Sequence, residues 1–257
     1  MSDRSRVDAR AARHALERLL SQDAPELADD LPVTFADAVE RYVELLLDAN
    51  QRLNLTRVVE PEAVARLHLL DALVGLPWLD DADPGSALDL GSGGGIPGIV
   101  LAMARPRVQW TLVDSVRKKA EALRGFVAAL GLANVEVVAQ RAEDLARGPR
   151  RESFDLVTAR ACAPLPVLAE LALPLLRVGG RLLAWKGRIG SAELRAGAAA
   201  SELLGGGPPD LRSAGVGKLG DHSFVQVSKT APTPGRFPRR PGEPARRPLP
   251  GRPRAPE

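Results

Sequence analysis

The stretch LDLGSGGGIPGIV, residues 88–100, decides which fold the chain is predicted to have. A short apolar run carries Asp89, a glycine-rich turn follows, and Pro97 stands where a helix can begin. A strand, a glycine turn and a helix in this order are typical of the first unit of a doubly wound sheet, in which a ligand approaches the bare backbone of the turn. The turn contains a G-x-G-x-G pattern formed by Gly91, Gly93 and Gly95. The pattern therefore predicts a ligand at this turn, and the surrounding residues indicate which ligand.

The glycine pattern favours S-adenosylmethionine over a dinucleotide. A dinucleotide fingerprint requires G-x-G-x-x-G directly after the strand. Counted from Gly91, the third glycine is replaced by Ile96, and the pattern fits only from Gly93, two residues late. The carboxylate of Asp89 would repel a pyrophosphate, whereas it would attract the ammonium group of S-adenosylmethionine. The alternative interpretation, a tight turn that binds no ligand, also stays open for this motif.

Two further strand ends carry residues that suit such a cofactor. Asp114 ends the next predicted strand, where a carboxylate can accept hydrogen bonds from both ribose hydroxyls. Residues 141–144, with the sequence RAED, follow the third strand, and a backbone N–H beside a carboxylate there can bind the adenine edge. Each of these acids could instead stabilise a helix N-terminus. Three such positions at neighbouring strand ends favour one shared binding site.

Strand-like and helix-like segments alternate after residue 84. We predict strands, with helices between most of them, at residues 87–90, 108–114, 134–140, 154–159, 180–185 and 222–228. This alternation predicts a doubly wound, mostly parallel α/β sheet in a Rossmann-like domain over residues 81–230, with 222–228 as a last, antiparallel strand. Ser115 is expected to cap the helix that ends at Gly131. Residues 205–220 are too rich in Gly and Pro to assign.

The first 80 residues are predicted to be entirely helical. Residues 7–20 look helical, Thr34 resembles the start of a capping box, and Pro61 stands at the start of a third helix. A helical apolar stripe follows Thr34, formed by Phe35, Val39, Tyr42 and Leu46. We therefore expect an N-terminal helical region, residues 1–80, ahead of the sheet.

Residues 231–257 differ from the rest of the chain in composition. The net charge of the chain is +3, but this segment contains seven Arg, two Glu and nine Pro. So many prolines disfavour helix and sheet pairing, so the segment is predicted to run extended as a basic Pro/Arg-rich tail. Two interpretations stay open: an arm that binds nucleic-acid phosphates, and a solvated linker.

Composition also limits the compartment and the chemistry. The single cysteine, Cys162, excludes an internal disulfide, and the charged N-terminus lacks the apolar core of a signal peptide. The longest apolar run carries Glu170 and is too short to span a bilayer. We therefore expect a cytoplasmic protein without a membrane partner. Three scattered His and one Cys give no zinc spacing, so no metal is expected.

Eight segments in one order resemble a known family. They are NLTRV (54–58), HLLDAL (68–73), LDLGSGGGIPGIVLA (88–102), LVDSVRKKAEAL (112–123), QRAEDL (140–145), VTARACAPLPVLAELALPLL (157–176), AWKG (184–187) and KTAPTPGRFPRRPG (229–242). Together they resemble the bacterial small-subunit rRNA methyltransferase G family, formerly called glucose-inhibited division protein B. The resemblance covers roughly residues 35–245, and one departure is HLLDAL, where the family commonly has Ser after the Asp.

The resemblance implies a fold, a cofactor and a substrate. It implies the class I S-adenosylmethionine-dependent methyltransferase fold, and methylation of N7 of a particular guanine in 16S rRNA, free or within the small ribosomal subunit. The cofactor contacts that it implies, with Gly93 and Gly95 added from the glycine pattern, are Gly91, Gly93, Gly95, Ile96, Asp114, Ser115, Val116, Ala142, Glu143 and Arg160. No catalytic residue is assigned, because guanine N7 has a free lone pair and needs no general base. We expect the protein to act as a monomer.

Several side chains keep two interpretations. Cys162 is read as a buried thiol rather than a nucleophile, and Arg160 as a contact to cofactor or RNA phosphate, or as a surface ion pair. Lys186 could meet RNA or be solvated, and His68 with Asp71 is a core or capping pair more readily than a catalytic one. Two alternative functions also stay open: an NAD-linked oxidoreductase and a non-catalytic RNA-binding assembly factor.

Overall fold

A seven-stranded sheet lies at the centre of the computed structural model, which describes residues 3–160, 163–213 and 222–249. Its strands are, in chain order, β1 (Ser86–Leu90), β2 (Gln109–Val113), β3 (Val135–Val138), β4 (Phe154–Arg160), β5 (Leu176–Lys186), β6 (Asp210–Ser213) and β7 (Ser223–Ser228). The spatial order is β3-β2-β1-β4-β5-β7-β6, with β1 to β5 parallel and β7 antiparallel to both of its neighbours. The predicted doubly wound sheet, including its antiparallel last strand, is confirmed. Strand β6 lies within the stretch left unassigned from sequence.

The position of β1 fixes where a ligand can bind. β1 is hydrogen-bonded to β2 on one side and to β4 on the other, with Leu88 opposite Thr111 and Val157. The chain therefore leaves β1 at the point where the order of the strands reverses. In sheets of this kind the crevice at that point, beyond the carboxyl ends of the strands, is the ligand site. The glycine turn of residues 91–97 lies there.

Helices precede the sheet, as predicted. They are α1 (Asp3–Asp23), α2 (Pro25–Asp29), α3 (Phe35–Leu53), α4 (Pro61–Val64), a π-helical segment (Ala65–Leu70), α5 (Asp71–Leu73) and α6 (Leu76–Ala82). The predicted stripe of α3 is buried, and its side chains share one apolar core with those of α7 (Gly98–Ala104) and β2. The capping box is wrong, because Thr34 has helical φ and ψ and its side chain makes no capping hydrogen bond. The division at residues 80 and 230 stays a prediction.

The remaining helices flank the strands. They are α8 (Arg117–Leu130), α9 (Ala142–Leu145), α10 (Leu165–Ala172), which a 3-10 turn (Leu173–Leu175) follows, α11 (Ser191–Leu203) and α12 (Glu243–Arg246). Helix α8 ends at Gly131, as predicted, and this residue has the left-handed conformation. Ser115 does not cap this helix: the Asp114 carboxylate accepts the Val116 amide at 2.8 Å. Val116 occupies the N-cap position, so Ser115 lies one residue too early to cap the helix.

Residues 229–249 pack against the domain and are called here the C-terminal strap. Phe237 and Leu249 are buried, and the Arg151 guanidinium donates to the carbonyls of Thr233 and Phe237, each at 2.7 Å. The solvated-linker interpretation is therefore wrong for residues 231–249, whereas the interpretation as a phosphate-binding arm stays open. Even α12 forms there, because Pro244 lies in its first turn, where proline needs no N–H partner. Residues 250–257 lie outside the described part of the chain.

Over the described ranges, no helix is long and apolar enough to cross a membrane.

Candidate functional site

A cleft of about 290 Å³ opens at the carboxyl ends of β1, β2 and β3. The strand ends and α9 supply Leu90, Gly91, Val113, Ser115, Gln140, Arg141, Ala142 and Glu143. The loop before α10, α10 itself and the strap supply Ala163, Val167, Leu171, Gly242, Pro244 and Ala245. Its volume is close to the lower end of the range for small-molecule sites. The strand ends that the sequence singled out thus meet at one cleft.

The glycine turn has a backbone that only glycine adopts readily. Gly91, Gly93 and Gly95 have φ values of 70°, 57° and 99°. A Cβ atom on Gly95 would also lie 2.6 Å from Cδ1 of Ile99 in α7. The pattern therefore lets the turn lie close against its own helix and leaves backbone, rather than side chains, beside the cleft.

Asp114 ties the glycine turn to the end of β2. Its Oδ2 accepts the Gly93 amide at 3.0 Å, and its Oδ1 accepts the Val116 amide at 2.8 Å. Each carboxylate oxygen has two lone pairs, so one acceptor site remains on each for a ligand hydroxyl. Asp114 is therefore held rigidly and can still accept ribose hydroxyls.

Asp89 lies buried beneath the turn. Its Oδ1 accepts the Thr158 hydroxyl at 2.8 Å, and within the described residues its buried Oδ2 has no hydrogen bond of good geometry. Burial raises the pKa of Asp89 to about 6, although the Thr158 hydrogen bond acts in the opposite direction. A cationic ligand nearby would favour the ionised form of this carboxylate.

Glu143 joins the cleft to the C-terminal strap. It lies in the first turn of α9, is buried, and accepts the Gly242 amide on Oε1 at 2.8 Å. The sequence predicted an adenine-binding role for Glu143 but not this contact, since the two residues are 99 positions apart.

Tyr42 supports the glycine turn from the N-terminal helices. The Tyr42 hydroxyl, fully buried in α3, donates to the Gly94 carbonyl at 2.8 Å. A Cβ atom on Gly94 would lie 3.0 Å from Cδ1 of Leu46, so α3 packs directly against the turn. Burial raises the pKa of Tyr42, which therefore stays protonated and able to donate. Sequence reasoning identified Tyr42 only as a core residue.

Arg160 lies apart from this cleft. It lines a second cavity of about 260 Å³, together with Asp71, Trp185, Lys186, Gly187 and His222. Its Nη1 donates to Asp71 Oδ2 at 2.9 Å and to the Leu67 carbonyl at 2.7 Å. The cavity lies at the ends of β4, β5 and the start of β7, beside the first cleft in the strand order.

His68 and Asp71 belong to the same polar cluster. Both are buried, and Arg160 joins them, because its Nη2 lies 3.2 Å from His68 Nδ1. Burial and the Arg160 charge lower the pKa of His68 to about 4, so its imidazole is neutral at pH 7. Asp71 also accepts from His222 Nδ1 at 2.7 Å. Both residues are buried, as the core interpretation expects, and Arg160 bridges them.

Other candidates have separate positions. Lys186 is not fully solvated, since its Nζ lies 2.9 Å from Glu193 Oε1 and donates to the Ala163 carbonyl, and it lines the second cavity. Cys162 lies outside the described residues. Among those that are described, no group of His, Cys, Asp and Glu could hold a metal ion.

The predicted cofactor residues thus divide into four groups. Gly91, Ser115, Ala142 and Glu143 line the cleft, and Gly93, Asp114 and Val116 form the hydrogen bonds that shape its edge. Gly95 and the buried Ile96 lie within the turn. Arg160 lines the neighbouring cavity.

The family model for rRNA small subunit methyltransferase G matches residues 36–215. "Ribosomal RNA small subunit methyltransferase G" of Moorella thermoacetica is 41% identical over 235 residues, which are 91% of this chain and 98% of that protein. The protein of the same name from Chloroflexus aggregans is 44% identical over 212 residues, with 82% and 88% covered.

A solved structure from Klebsiella pneumoniae, provisionally assigned as an O-methyltransferase, superposes with a TM-score of 0.50 at 17% identity. The superposition covers 74% of this chain and 90% of that one. This likeness and the order of the strands confirm the class I methyltransferase fold.

Proposed function

The chain belongs to the rRNA small subunit methyltransferase G family, and we propose that it transfers a methyl group from S-adenosylmethionine to N7 of a guanine in 16S rRNA. The observation that carries the proposal is the meeting of the glycine turn, Asp114 and Glu143 at one cleft where the strand order reverses. Family membership supports ribosomal RNA as the substrate, and the cleft supports the cofactor.

The residues of the cleft fit S-adenosylmethionine. The bare backbone at Gly91 suits close approach of the amino acid part, and the buried Asp89 suits its ammonium group. Asp114 would accept the ribose hydroxyls, with Ser115 and Val116 beside it. The Ala142 amide and the Glu143 carboxylate would bind the adenine edge.

The chemistry requires alignment rather than acid–base catalysis. When bound, the cofactor supplies a methyl group on a positively charged sulfur. Guanine N7 carries a lone pair and no proton, so the chain needs no residue to remove a proton. Its contribution is to hold the two reactants in line and to exclude water. A base would add little, and we assign none of the described side chains that role.

The second cavity is the proposed entry for the guanine. It adjoins the cofactor cleft because Ala159 of β4 pairs with Leu90 of β1, and Arg160 follows Ala159 at the strand end. Arg160 is held by Asp71 and Leu67, so its charge is fixed in place at this boundary. We propose that Arg160 contacts cofactor or guanine from there.

The exposed arginines of the strap are proposed to bind rRNA phosphates. Arg236, Arg240, Arg246 and Arg247 all lie on its solvent side. A base with an accessible N7 must lie in an opened or looped region of the RNA, because side chains cannot enter the major groove of an A-form helix. A ribosomal RNA substrate would place the reaction in the cytoplasm. We also propose that the protein acts as a monomer.

The test is methyl transfer by the purified protein. The protein is incubated with isotopically labelled S-adenosylmethionine and either unmodified 16S rRNA or small ribosomal subunits, and nuclease digests are analysed by mass spectrometry. Labelled 7-methylguanosine at one position is expected, and the Asp114→Ala variant should lose it while Asp144→Ala, a matched exposed carboxylate, keeps it. Absence of the label with both substrates, or label on another atom, would contradict the proposal.

The NAD-linked alternative is tested with the same preparation. S-adenosylhomocysteine should raise the unfolding temperature and NADH should not, because the turn lacks the third glycine of the dinucleotide pattern.

A further inference from the structure

The C-terminal strap supplies one side of the cofactor cleft. Gly242, Pro244 and Ala245 line it, together with residues of the strand ends and with Val167 and Leu171 of α10. The family-like motif of the strap ends at Gly242, where this lining begins. A segment whose composition indicates solvation is therefore part of the binding site.

The strap is fixed on the α10 side by a buried ion pair. Glu170 of α10 is fully buried and accepts the backbone amide and Nε of Arg239 on Oε1, both at 2.9 Å. Its Oε2 accepts Arg239 Nη2 at 2.5 Å. Both carboxylate oxygens therefore accept hydrogen bonds from Arg239. Removal of Arg239 would leave an unpaired buried charge, which destabilises the folded state.

The strap is fixed on the α9 side by the carboxylate that borders the cleft. Glu143 accepts the Gly242 amide, and Gly242 follows Arg239 by three residues, which span at most about 11 Å. The segment between the two anchors is therefore short, and it bridges α9 and α10 across the cleft. A change at either anchor would move the residues that line it.

We propose that residues 242–245 form a wall of the S-adenosylmethionine site, and that Glu170 and Arg239 are a positioning pair that holds this wall against the cofactor. Glu143 then has two tasks, since it binds the strap and faces the cofactor. The inference rests on the proposed function, because it assigns the cleft to that cofactor. It adds a binding surface that the glycine turn and strand ends do not include.

The first test changes the wall without touching the anchors. Ala245 is exposed and lines the cleft, so Ala245→Trp adds bulk there without forcing it into the core. Gly235→Trp is the matched control, because Gly235 is exposed, lies outside the cleft lining, and a Cβ atom there meets open space. Isothermal titration with S-adenosylhomocysteine should show at least about tenfold weaker binding for Ala245→Trp, and a change below about twofold for the control.

The two failures are distinguishable. If the unaltered chain does not bind S-adenosylhomocysteine, the proposed function fails. If the unaltered chain binds and a folded Ala245→Trp variant binds equally well, only the wall is refuted. Near-UV circular dichroism of both variants reports that the fold is kept.

The second test separates positioning from general support. Arg239→Gln breaks the paired contact to Glu170, and Arg239→Lys keeps the charge. With rRNA saturating, Arg239→Gln should raise KM for S-adenosylmethionine by at least about tenfold with kcat changed by less than about threefold, and Arg239→Lys should recover part of the loss. An unchanged KM in folded Arg239→Gln would overturn the proposal, as would a fall in kcat with KM unchanged.

Discussion

The N-terminal helices and the C-terminal strap reach the same cleft by different means. The helices contact it through Tyr42, whose hydroxyl binds the Gly94 carbonyl, and the strap contacts it through the Gly242 amide on Glu143. The Tyr42 contact lies in an apolar core that the helices share with the sheet. The Gly242 contact depends on a buried ion pair and on hydrogen bonds to backbone carbonyls of the strap.

This difference predicts unlike responses to substitution. Apolar packing is weakened in proportion to the surface removed, because many contacts each contribute little. A buried charge without its partner costs several kcal/mol at once. Substitutions on the exposed side of the strap should therefore hardly change the free energy of unfolding, whereas substitutions at its anchors should lower it strongly. In α3 the loss should grow with the apolar surface that a substitution removes.

The largest effect is expected at the anchor of the strap. Arg239→Ala leaves Glu170 buried without its cation, so the free energy of unfolding should fall by about 3–5 kcal/mol. Urea unfolding followed by circular dichroism measures this change. Arg240→Ala, an exposed neighbour, is the control. Equal, small losses in both variants would contradict the view that the strap is held by this pair.

Asp89, which is buried near the end of β1 just before the glycine turn, should give a pH-dependent effect of intermediate size. Asp89 has a pKa of about 6 in the folded chain, above its unfolded value of about 3.9, so the folded state binds more protons between these values. The contribution of Asp89 is therefore favourable below pH 4 and is lost as pH rises through 6. Relative to Asp89→Asn, the free energy of unfolding of the unaltered chain should fall by about 2–3 kcal/mol from pH 4 to pH 7.

Urea titrations of both proteins at several pH values test this sign. If the free energy of unfolding changes with pH in the same way for both proteins, Asp89 has an ordinary pKa in the folded chain. If the unaltered chain instead gains stability relative to Asp89→Asn as the pH rises, burial does not raise this pKa.

A smaller loss is expected where the helices touch the turn. Tyr42→Phe removes only the hydroxyl and leaves the Gly94 carbonyl without its donor, so the free energy of unfolding should fall by about 1–2 kcal/mol. Affinity for S-adenosylhomocysteine should fall several-fold, because the turn is less firmly held. If titration calorimetry finds unaltered affinity, the helices stabilise the fold without shaping the site.

The smallest effect on stability is expected on the outer side of the strap. Exchange of Arg236, Arg240, Arg246 and Arg247 for Gln should change the free energy of unfolding by less than about 0.5 kcal/mol per site. Binding of 16S rRNA should become less dependent on salt, with the slope of log K against log salt reduced by about 0.7 for each phosphate that an arginine no longer neutralises. An unchanged slope would remove these arginines from the RNA interface.

The same two regions show what sequence patterns can and cannot predict. The stripe of α3 follows a helical period, so local spacing alone assigns Tyr42 and Leu46 to the core. The strand ends are recognisable because Asp114 and Glu143 follow predicted strands, and parallel strands place their carboxyl ends at one edge.

The strap has no such local signal. Its arginines and prolines indicate a solvated segment. The strap is packed instead because Arg239 pairs with Glu170, which lies 69 residues earlier in the chain. One sequence feature points to it: Glu170 is a lone acid within an apolar run, and buried acids are almost always paired. The identity of the partner needs the structure. So does the position of Arg160, which a family motif places at the cofactor and the fold places in the neighbouring cavity.

The central claim, a cofactor cleft built on the strand ends, is tested most directly by titrating S-adenosylhomocysteine into the unaltered chain and into Asp114→Ala, with Asp144→Ala as the exposed control. The account predicts binding by the unaltered chain, a loss of at least about tenfold for Asp114→Ala, and a change below about twofold for Asp144→Ala. Equal affinity of Asp114→Ala and the unaltered chain would contradict it.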